Sequence, residues 1–270
     1  MNTLSAILLA IPYPQIDPVL VQLGPFALRW YALAYIAGLV IGWQVMRRVC
    51  EQPPKVLSPL KIDDFLLWAA LGVILGGRLG YVLFYKPGFY IDHPLAALTL
   101  WEGGMSFHGG LLGAVIAVWL FSRRNKLNML SIADLACAFA PITIFMVRIA
   151  NFINDELWGR VTNVPWAMVF PRGGPLPRHP SQLYEATLEG LVLLVIVQVA
   201  LRVFRAHQKP GLISALFLAG YGTFRFICEF FREPDTQFIG PVSMGMALSI
   251  PIWLGAGLLF WLVLKKPRTT

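Results

Sequence analysis

Seven apolar segments of roughly membrane length follow one another along the chain, separated by short polar loops. A helix needs about 20 predominantly apolar residues to cross the hydrocarbon core of a bilayer. The segments lie near 25–46, 64–85, 107–122, 131–150, 183–204, 211–231 and 243–264. This pattern predicts an all-α, polytopic integral membrane protein with about seven transmembrane helices.

The loops between these segments are too short to separate soluble domains, so we expect one membrane domain covering 1–270. Two larger elaborations, at about 86–106 and 151–182, are predicted on the same side of the membrane. The second is rich in proline and glycine, which indicates a small irregular cap above the helices. Glycines spaced four residues apart, Gly72, Gly76 and Gly80, should allow two helices to approach closely.

Composition agrees with a membrane setting. Hydrophobic residues make up 57% of the 270 positions and charged residues 13%, and the mean hydropathy is +0.65. These values exclude a soluble domain with an ordinary polar surface. The three cysteines form no C-x-x-C motif and the four histidines have no metal-binding spacing, so no metal site is predicted. No organic cofactor is implied either.

The net charge of +8 indicates topology rather than nucleic-acid binding, because the basic residues are dispersed through short loops. Lysine and arginine favour cytoplasmic loops. Most of them follow alternate apolar segments: Arg47, Arg48, Lys55, Lys61, Arg123, Arg124, Lys126, Arg202, Arg205, Lys209, Lys265, Lys266 and Arg268. We therefore expect a cytoplasmic C-terminus and a periplasmic N-terminus, with the cap on the periplasmic side.

Three arginines, Arg78, Arg148 and Arg225, lie within or at the edge of apolar segments. An isolated arginine in a membrane costs a few kcal/mol or more unless an anion or water pairs with it. The planar guanidinium group suits bidentate recognition of phosphate or carboxylate. A phosphate or carboxylate ligand is therefore the first hypothesis for these residues.

The sixth apolar segment carries a polar face made of Tyr221, Arg225, Glu229 and Arg232. At 100° per residue these positions lie within about 80° of one another. They can form an internal ion network that holds helices together, or an anion site. Two arginines against one glutamate leave a positive surplus, which favours the anion site.

Further polar residues follow Arg148. Asn151 shares its helix face, so the two can contact one ligand, and Asn154 and Glu156 come next. His108 follows a glycine-rich stretch at the start of the third segment. An imidazole can titrate near neutral pH and act as a general base, although a structural histidine is the more common case.

Two other motifs have simpler interpretations. Asp134, three residues after Ser131, is typical of a capping box that satisfies the first turn of its own helix. The motif H-P-S-Q-L-Y-E, residues 179–185, predicts a helix start with proline in the first turn. It adds Gln182, Tyr184 and Glu185 to the outer polar layer.

From these residues alone, three functions remain open: a transferase, a phospholipid transporter or lipid-binding scaffold, and a membrane acyltransferase. A transporter is expected to contain repeated halves with helices broken at matching positions, and the sequence has no such repeat. An acyltransferase of the H-x(4)-D type would carry aspartate at position 113, which is Gly113 here.

Several motifs then favour the first of these. The chain resembles the bacterial prolipoprotein diacylglyceryl transferases in six segments, which occur in the family's order. They are R-W-Y-A-L (29–33), G-G-R-L-G-Y-V-L-F-Y (76–85), G-G-M-S-F-H-G-G-L (103–111), N-F-I-N-D-E-L-W-G-R (151–160), R-H-P-S-Q-L-Y-E (178–185) and Y-G-T-F-R-F-I-C-E-F-F-R-E-P-D (221–235).

This resemblance implies a seven-helix enzyme of the bacterial inner membrane, with its active site facing the outer leaflet. It implies transfer of the sn-1,2-diacylglyceryl group of phosphatidylglycerol to the lipobox cysteine of a preprolipoprotein, with release of glycerol 1-phosphate. The implied partners are these two substrates and membrane lipids, and no nucleic acid.

By motif, the resemblance makes Arg148 and Arg225 the residues that hold the phosphate, with His108 as a candidate base. The predicted substrate-binding residues are Tyr31, Arg78, Asn151, Asn154, Glu156, Gly159, Tyr221, Glu229 and Arg232. The family usually carries glycine at three positions that are Val147, Ala150 and Asp155 here. Local helix packing is expected to differ there, and Asp155 adds a carboxylate near the site.

Overall fold

The computed structural model describes residues 10–24, 26–50, 57–100, 103–234, 237–239 and 242–265. Lys55, Lys266 and Arg268, which contributed to the predicted orientation, lie outside the described residues, as do both chain ends and Asp235 of the last motif.

By its internal packing the chain divides into two compact units. The first comprises 1–44 and 134–270, and the second comprises 45–133. Each unit is described by itself below. The expectation of a single membrane domain stays a prediction.

The described residues form seven long helices and one short helix. They are α1 (Trp30–Cys50), α2 (Pro59–Phe84), the short α3 (Pro87–Asp92), α4 (Phe107–Arg124), α5 (Met129–Ile153), α6 (Ser181–Arg202), α7 (Leu212–Glu229) and α8 (Met244–Lys265). Each predicted apolar segment coincides with one long helix.

Five of these helices, α2, α5, α6, α7 and α8, are long and apolar enough to cross a membrane. The prediction of an all-α, polytopic membrane protein is therefore confirmed. The other two long helices are less uniformly apolar, since α4 has a histidine and two glycines in its first turn and both α1 and α4 carry two arginines in the last turn. The count of seven spans stays a prediction.

Within the described residues, short strands form three two-stranded ribbons outside the helices. They are β1 (Ile11–Pro12), β2 (Val19–Leu23), β3 (Phe26–Arg29), β4 (Met168–Val169), β5 (Gln237–Ile239) and β6 (Val242–Ser243). The pairs β2–β3 and β5–β6 are antiparallel, whereas β1–β4 is parallel. Because residues 26–29 belong to β3, the first helix begins at Trp30 rather than near residue 25.

In the second unit, α2 and α4 pack backbone against backbone. A Cβ atom at Gly76 would lie 2.8 Å from the Cα of Gly113, and one at Gly80 would lie 2.8 Å from the Cα of Gly109. The predicted role of the spaced glycines is thus confirmed. The leucines at the same four-residue spacing are exposed instead: Leu67, Leu71, Leu75, Leu79 and Leu83. This leucine stripe suits contact with lipid chains.

In the first unit, Asp134 caps a different helix from the one predicted. Its carboxylate accepts hydrogen bonds of 2.7 Å from the backbone amides of Gly211 and Ser214 and from the Ser214 hydroxyl. Helix α5 begins at Met129, so Asp134 already lies inside it. The capping-box prediction was therefore wrong about the partner, because the orphan amides that Asp134 satisfies are those of α7.

The segment 151–182, which we call the cap, is mostly irregular and is joined mainly by backbone bridges. Its position above the helices stays a prediction. Strand β4 pairs with β1, and isolated bridges join Gly159 to Arg232 and Val161 to Arg178. Tyr13 holds the N-terminal segment against this region by donating from its hydroxyl to the carbonyls of Phe152 and Ile153, at 2.5 and 3.0 Å. These two carbonyls lie in the last turn of α5, where backbone acceptors lack helical partners.

Candidate functional site

Two of the predicted arginines meet in the first unit. Arg148 lies near the C-terminal end of α5 and Arg225 near the C-terminal end of α7. Both reach carboxylates of α6. The Arg148 guanidinium lies 3.1 Å from Glu185 and 3.2 Å from Glu189, and Arg225 donates to Glu185 at 2.8 Å. Three separate helices therefore contribute to one charged cluster.

Two further residues join this cluster from the end of α7. Glu229 pairs with Arg225 one helical turn away and accepts a hydrogen bond from the Ser243 hydroxyl. Arg232 lies just beyond the helix, and its guanidinium is 3.3 Å from Glu185. The predicted polar face of α7 thus converges on the same carboxylates. We refer to Arg148, Glu185, Glu189, Arg225, Glu229 and Arg232 together as the arginine–glutamate cluster.

The prediction that arginines outnumber carboxylates at this site was wrong. Its three arginines are matched by three glutamates within the described residues, because α6 supplies Glu185 and Glu189. A buried cluster of balanced charge avoids most of the penalty that uncompensated charges would carry. Whether a ligand meets positive or negative charge at this site therefore depends on which side chains are accessible, and not on the number of residues of each sign.

Access differs between the two signs of charge. The side chains of Arg148 and Arg225 are each 16% exposed, whereas those of Glu185 and Glu189 are 0% exposed. In each of these ion pairs the arginine is therefore the more accessible partner. A ligand that enters the site meets the arginines first, and this arrangement favours an anionic ligand over a cationic one.

Helix α6 has an unusual backbone where it supplies these glutamates. Residues Ala186–Val192 form a π-helix between two α-helical segments. Glu185 precedes this stretch and Glu189 lies within it. π-Helical turns are rare and occur often at functional sites. Here the wide turn allows both carboxylates to face the same two arginines.

Tyr221 lies one turn before Arg225 on α7. It is close enough to Arg148, Arg225 and Glu189 to interact with them electrostatically. Tyr31, in the first turn of α1, is in electrostatic range of Arg148 and Glu156. Its ring also contacts that of Tyr35, with centroids 5.2 Å apart. The fold therefore brings both predicted tyrosines to the neighbourhood of Arg148.

Glu156 organises the turn that follows α5. Its carboxylate accepts hydrogen bonds from Asn151 at 2.7 Å and Asn154 at 3.4 Å. The Gln182 amide donates to the Glu156 carbonyl at 2.7 Å. These contacts leave the Oδ1 atoms of Asn151 and Asn154 without a hydrogen-bond partner among the described residues. Both asparagines therefore keep an acceptor available.

The turn also contains the substituted glycine position. Asp155 has a φ of +53°, in the left-handed region that favours glycine. Its Oδ2 atom accepts a hydrogen bond of 2.6 Å from the backbone amide of Arg172, which ties the turn to the cap. Burial raises the pKa of the Asp155 carboxyl, and its contacts with Arg172 oppose that rise.

Gly159 has a packing role in the cap. Its amide donates to the His179 carbonyl at 2.8 Å, and a Cβ atom there would lie 2.6 Å from the His179 Cβ. No larger residue fits without displacing the backbone. Gly159 therefore shapes the cap beside Arg232, whose backbone it bridges.

The remaining two predicted residues, Arg78 and His108, belong to the second unit. The Arg78 guanidinium donates to the carbonyls of Ala96 at 2.6 Å, Ala97 at 2.9 Å and Thr99 at 3.2 Å, and also to those of Gly103 and Gly104. Arg78 thus organises the loop after α3. His108 is exposed in the first turn of α4.

The hydrophobic pattern missed Glu189 as a member of the cluster and Ser243 as a donor to Glu229, and it left Glu185 without a specific partner. A usable signal existed, because Glu185 and Glu189 are four residues apart within an apolar segment. The rule that singled out the arginines applies equally to glutamates in a membrane helix. Ser243 gives no comparable signal, since a lone serine beside a membrane helix is common.

Comparison with known proteins identifies the family. The family model described as prolipoprotein diacylglyceryl transferase matches residues 18–262. Proteins named phosphatidylglycerol–prolipoprotein diacylglyceryl transferase from Paramagnetospirillum magneticum and Methylocella silvestris are 52% and 56% identical to this chain. The alignments cover 93% and 92% of this chain and 96% and 93% of those relatives. The relative from Allorhizobium ampelinum, 51% identical, aligns with 99% of this chain and 96% of its own length. The chain belongs to the prolipoprotein diacylglyceryl transferase family.

Proposed function

We propose that this protein transfers the sn-1,2-diacylglyceryl group of phosphatidylglycerol to the lipobox cysteine of preprolipoproteins. The observation that carries the proposal is the pair of arginines from α5 and α7, whose side chains are partly exposed while the glutamates that pair with them are buried. A phosphate ester fits this arrangement because arginine recognises phosphate in a bidentate manner. Membership of the family supplies the identity of the two substrates.

The reaction is a substitution at the glycerol carbon that bears the phosphate ester. The cysteine sulfur forms a thioether bond to this carbon while the carbon–oxygen bond breaks. The phosphate oxygen takes the electron pair, so glycerol 1-phosphate leaves as negative charge accumulates on it. Fixed cationic groups aimed at developing charge commonly make the largest contribution to catalysis. We assign this role to Arg148 and Arg225.

The thiol must lose its proton, since the thiolate is the nucleophile. Two sources of activation remain open. His108 is the candidate general base, and the field of the arginines can also lower the pKa of the substrate thiol. An experiment can distinguish the two. If His108 is the base, His108→Gln changes the pH dependence of the rate, whereas activation by the arginines alone leaves that dependence unchanged.

The other predicted residues are proposed to position the substrates around the two arginines. Asn151 presents a free acceptor that can bind a glycerol hydroxyl, and Asn154 is proposed to contact the protein substrate. Tyr31 and Tyr221 lie in electrostatic range of Arg148. Glu156, Glu229 and Arg232 hold these groups in place, and Gly159 and Arg78 maintain the backbone of the cap and of the loop after α3.

The proposed location is the bacterial inner membrane, with the site facing the outer leaflet. The N-terminus is proposed to be periplasmic and the C-terminus cytoplasmic. This orientation is supported by the basic residues that follow alternate apolar segments, such as Arg123 and Arg124 at the end of α4. It places the cap where exported lipoprotein precursors emerge.

The test is incubation of the purified protein with phosphatidylglycerol and a lipobox peptide. Glycerol phosphate release and a diacylglyceryl mass gain on the peptide are expected, and a peptide with serine in place of cysteine should give neither. Lipid binding without a covalent product would favour a transporter or scaffold instead.

Substitutions of Arg148 and Arg225 test the role proposed for these two residues. Arg148→Gln and Arg225→Gln are expected to lower the rate by about 100-fold or more, as for the loss of one group that stabilises developing charge. Arg148→Lys keeps the charge but loses the guanidinium fork, so it should retain part of the activity. Arg202→Gln, which alters an exposed arginine at the other end of α6, is the matched control. Full activity of both glutamine variants would rule out the proposed role.

A further inference from the structure

A polar cavity of about 540 Å³ lies in the first unit between the N-terminal segment and the turn after α5. Its walls include Tyr13, Asp17, Arg29, Asn154, Asp155 and Arg172. We propose that this cavity binds the polypeptide segment that follows the acceptor cysteine of the lipoprotein substrate. The inference rests on the proposed function and adds a binding site for the polar part of the protein substrate.

Hydrogen bonds within the protein hold the walls of the cavity in place. The Tyr13 hydroxyl holds one wall against the end of α5 through the carbonyls of Phe152 and Ile153. The opposite wall is held by Asp155, which accepts from the Arg172 amide, and by the Arg172 guanidinium, which donates to the Asn154 carbonyl at 3.3 Å. Its volume is within the range of ordinary ligand pockets.

The groups left unsatisfied in these walls are hydrogen-bond acceptors. The Oδ1 atoms of Asn154 and Asp155 are buried and have no hydrogen-bond partner among the described residues. Asp155 is only 7% exposed. The orientation of the Asn154 amide is determined by its NH₂ group, which donates to the Glu156 carboxylate. A ligand with N–H donors would therefore satisfy both atoms.

The charges of the walls favour a peptide over an anionic ligand. Asp17, Asp155 and Glu156 contribute three carboxylates, against the two guanidinium groups of Arg29 and Arg172. This balance disfavours a second phosphate site. A polypeptide backbone carries one N–H donor and one C=O acceptor at each residue, so it can use the free acceptors and the arginine donors together.

The cavity is also connected to the reacting groups. Glu156 lines it and accepts a hydrogen bond from Asn151, which lies three residues after Arg148 on α5. A chain whose cysteine is placed near Arg148 could therefore continue past Glu156 into the cavity. Its apolar signal segment would remain among the membrane helices.

The experiment uses lipobox peptides that end at the cysteine amide or continue for one, two or four further residues. For the wild-type protein, we expect the KM for the peptide to fall by about tenfold on extension, as two ordinary hydrogen bonds imply. The KM for phosphatidylglycerol should not depend on peptide length. A peptide KM that is independent of length would overturn the proposal while leaving the transferase activity established.

Asp155→Asn is the variant that tests the proposed peptide site most directly. Asparagine tolerates the left-handed backbone and keeps one oxygen for the Arg172 amide, but it replaces the free acceptor with a donor. The advantage of the longer peptides should then largely disappear. The control is Val161→Thr, at an exposed cap residue that does not line the cavity, and it should retain the full length dependence.

A cross-linking measurement keeps the proposal testable if no peptide is modified or if Asp155→Asn fails to fold. A peptide with serine at the acceptor position and a photoreactive residue two positions later is irradiated with the wild-type protein. Cross-links within 13–18 or at Arg172 would support the cavity, whereas cross-links confined to other segments would refute it. Failure of all peptides to react, with no glycerol phosphate released, would instead refute the proposed function.

Discussion

The Arg225 guanidinium donates a hydrogen bond of 2.8 Å to Glu185, which lies forty residues earlier in the chain on a neighbouring helix. Glu185 is also 3.1 Å from Arg148 on a third helix. The fully buried carboxylate of Glu185 therefore contacts both of the arginines that the proposed reaction requires. Their positions depend on α6 as much as on the helices that carry them.

The first prediction concerns the coupling between Arg148 and Glu189. Removing either charge alone leaves the other buried with fewer partners, which is strongly destabilising. Removing both should be less harmful than the sum of the two single changes. In a double-mutant cycle of Arg148→Gln and Glu189→Gln, thermal unfolding in detergent should give a coupling energy of about 1 to 3 kcal/mol. Additive effects of the two changes would contradict the observed ion pair.

The second prediction concerns the cap that α5 provides for α7. Asp134→Ala removes acceptors from two buried backbone amides and one hydroxyl. We expect a loss of about 2 to 4 kcal/mol, and a smaller loss for Asp134→Asn, which keeps one oxygen. Ser131→Ala is the control, since only a capping box within α5 would make it costly. The measurement is the apparent Tm of each variant, and equal losses for Asp134→Ala and Ser131→Ala would restore the capping-box interpretation.

The third prediction concerns the close packing of α2 on α4. Gly76→Ala should lower the apparent Tm clearly, because the new Cβ would lie 2.8 Å from the Cα of Gly113 and 3.0 Å from its nitrogen. Gly257→Ala in α8 is the matched control, because no described residue outside its own stretch of helix comes within 4 Å of the added carbon. The control should be neutral or stabilising by up to about 1 kcal/mol, since alanine is the better helix former. Similar Tm values for the two variants would show that α2 and α4 are not held this closely.

The fourth prediction concerns pH. Burial lowers the pKa of His179, whose ring accepts or donates a hydrogen bond at 3.1 Å with the Tyr184 hydroxyl and packs 5.3 Å from the Phe231 ring. The unfolded chain therefore binds a proton more readily than the folded protein does. Stability from the neutral imidazole is present above the ordinary value of about 6.5 and is lost as the pH falls below it.

Accordingly, the apparent Tm should fall between pH 7.5 and 5.5 by more in the wild type than in His179→Gln. His93→Gln, at an exposed histidine after α3, controls for loss of an imidazole in general. If His179→Gln and the wild type showed the same pH dependence, protonation of His179 would not contribute to acid sensitivity.

Much of the architecture could be predicted from the local pattern of apolar, polar and small residues along the chain. All seven long helices of the described chain were predicted within a few residues, except where β3 delays the start of α1 to Trp30. The glycine spacing in α2 correctly predicted a close helix contact, because small residues are the local condition for such an approach. None of the three ribbons was predicted. The strands of β1–β4 and β5–β6 have two or three residues, too few for a detectable periodicity, and β2–β3 was not distinguished from the loop before the first apolar segment and the start of that segment.

The sequence by itself determined which charges the membrane must accommodate, since Arg148, Arg225 and Glu189 lie in apolar segments wherever those segments pack. Only the tertiary structure decided their partners. Glu185 and Glu189 neutralise arginines forty or so residues away, and Asp134 caps a helix that begins near Gly211. Such pairings depend on which helices become neighbours and on how each is rotated, and a buried charge must find its partner in three dimensions because the lipid offers none.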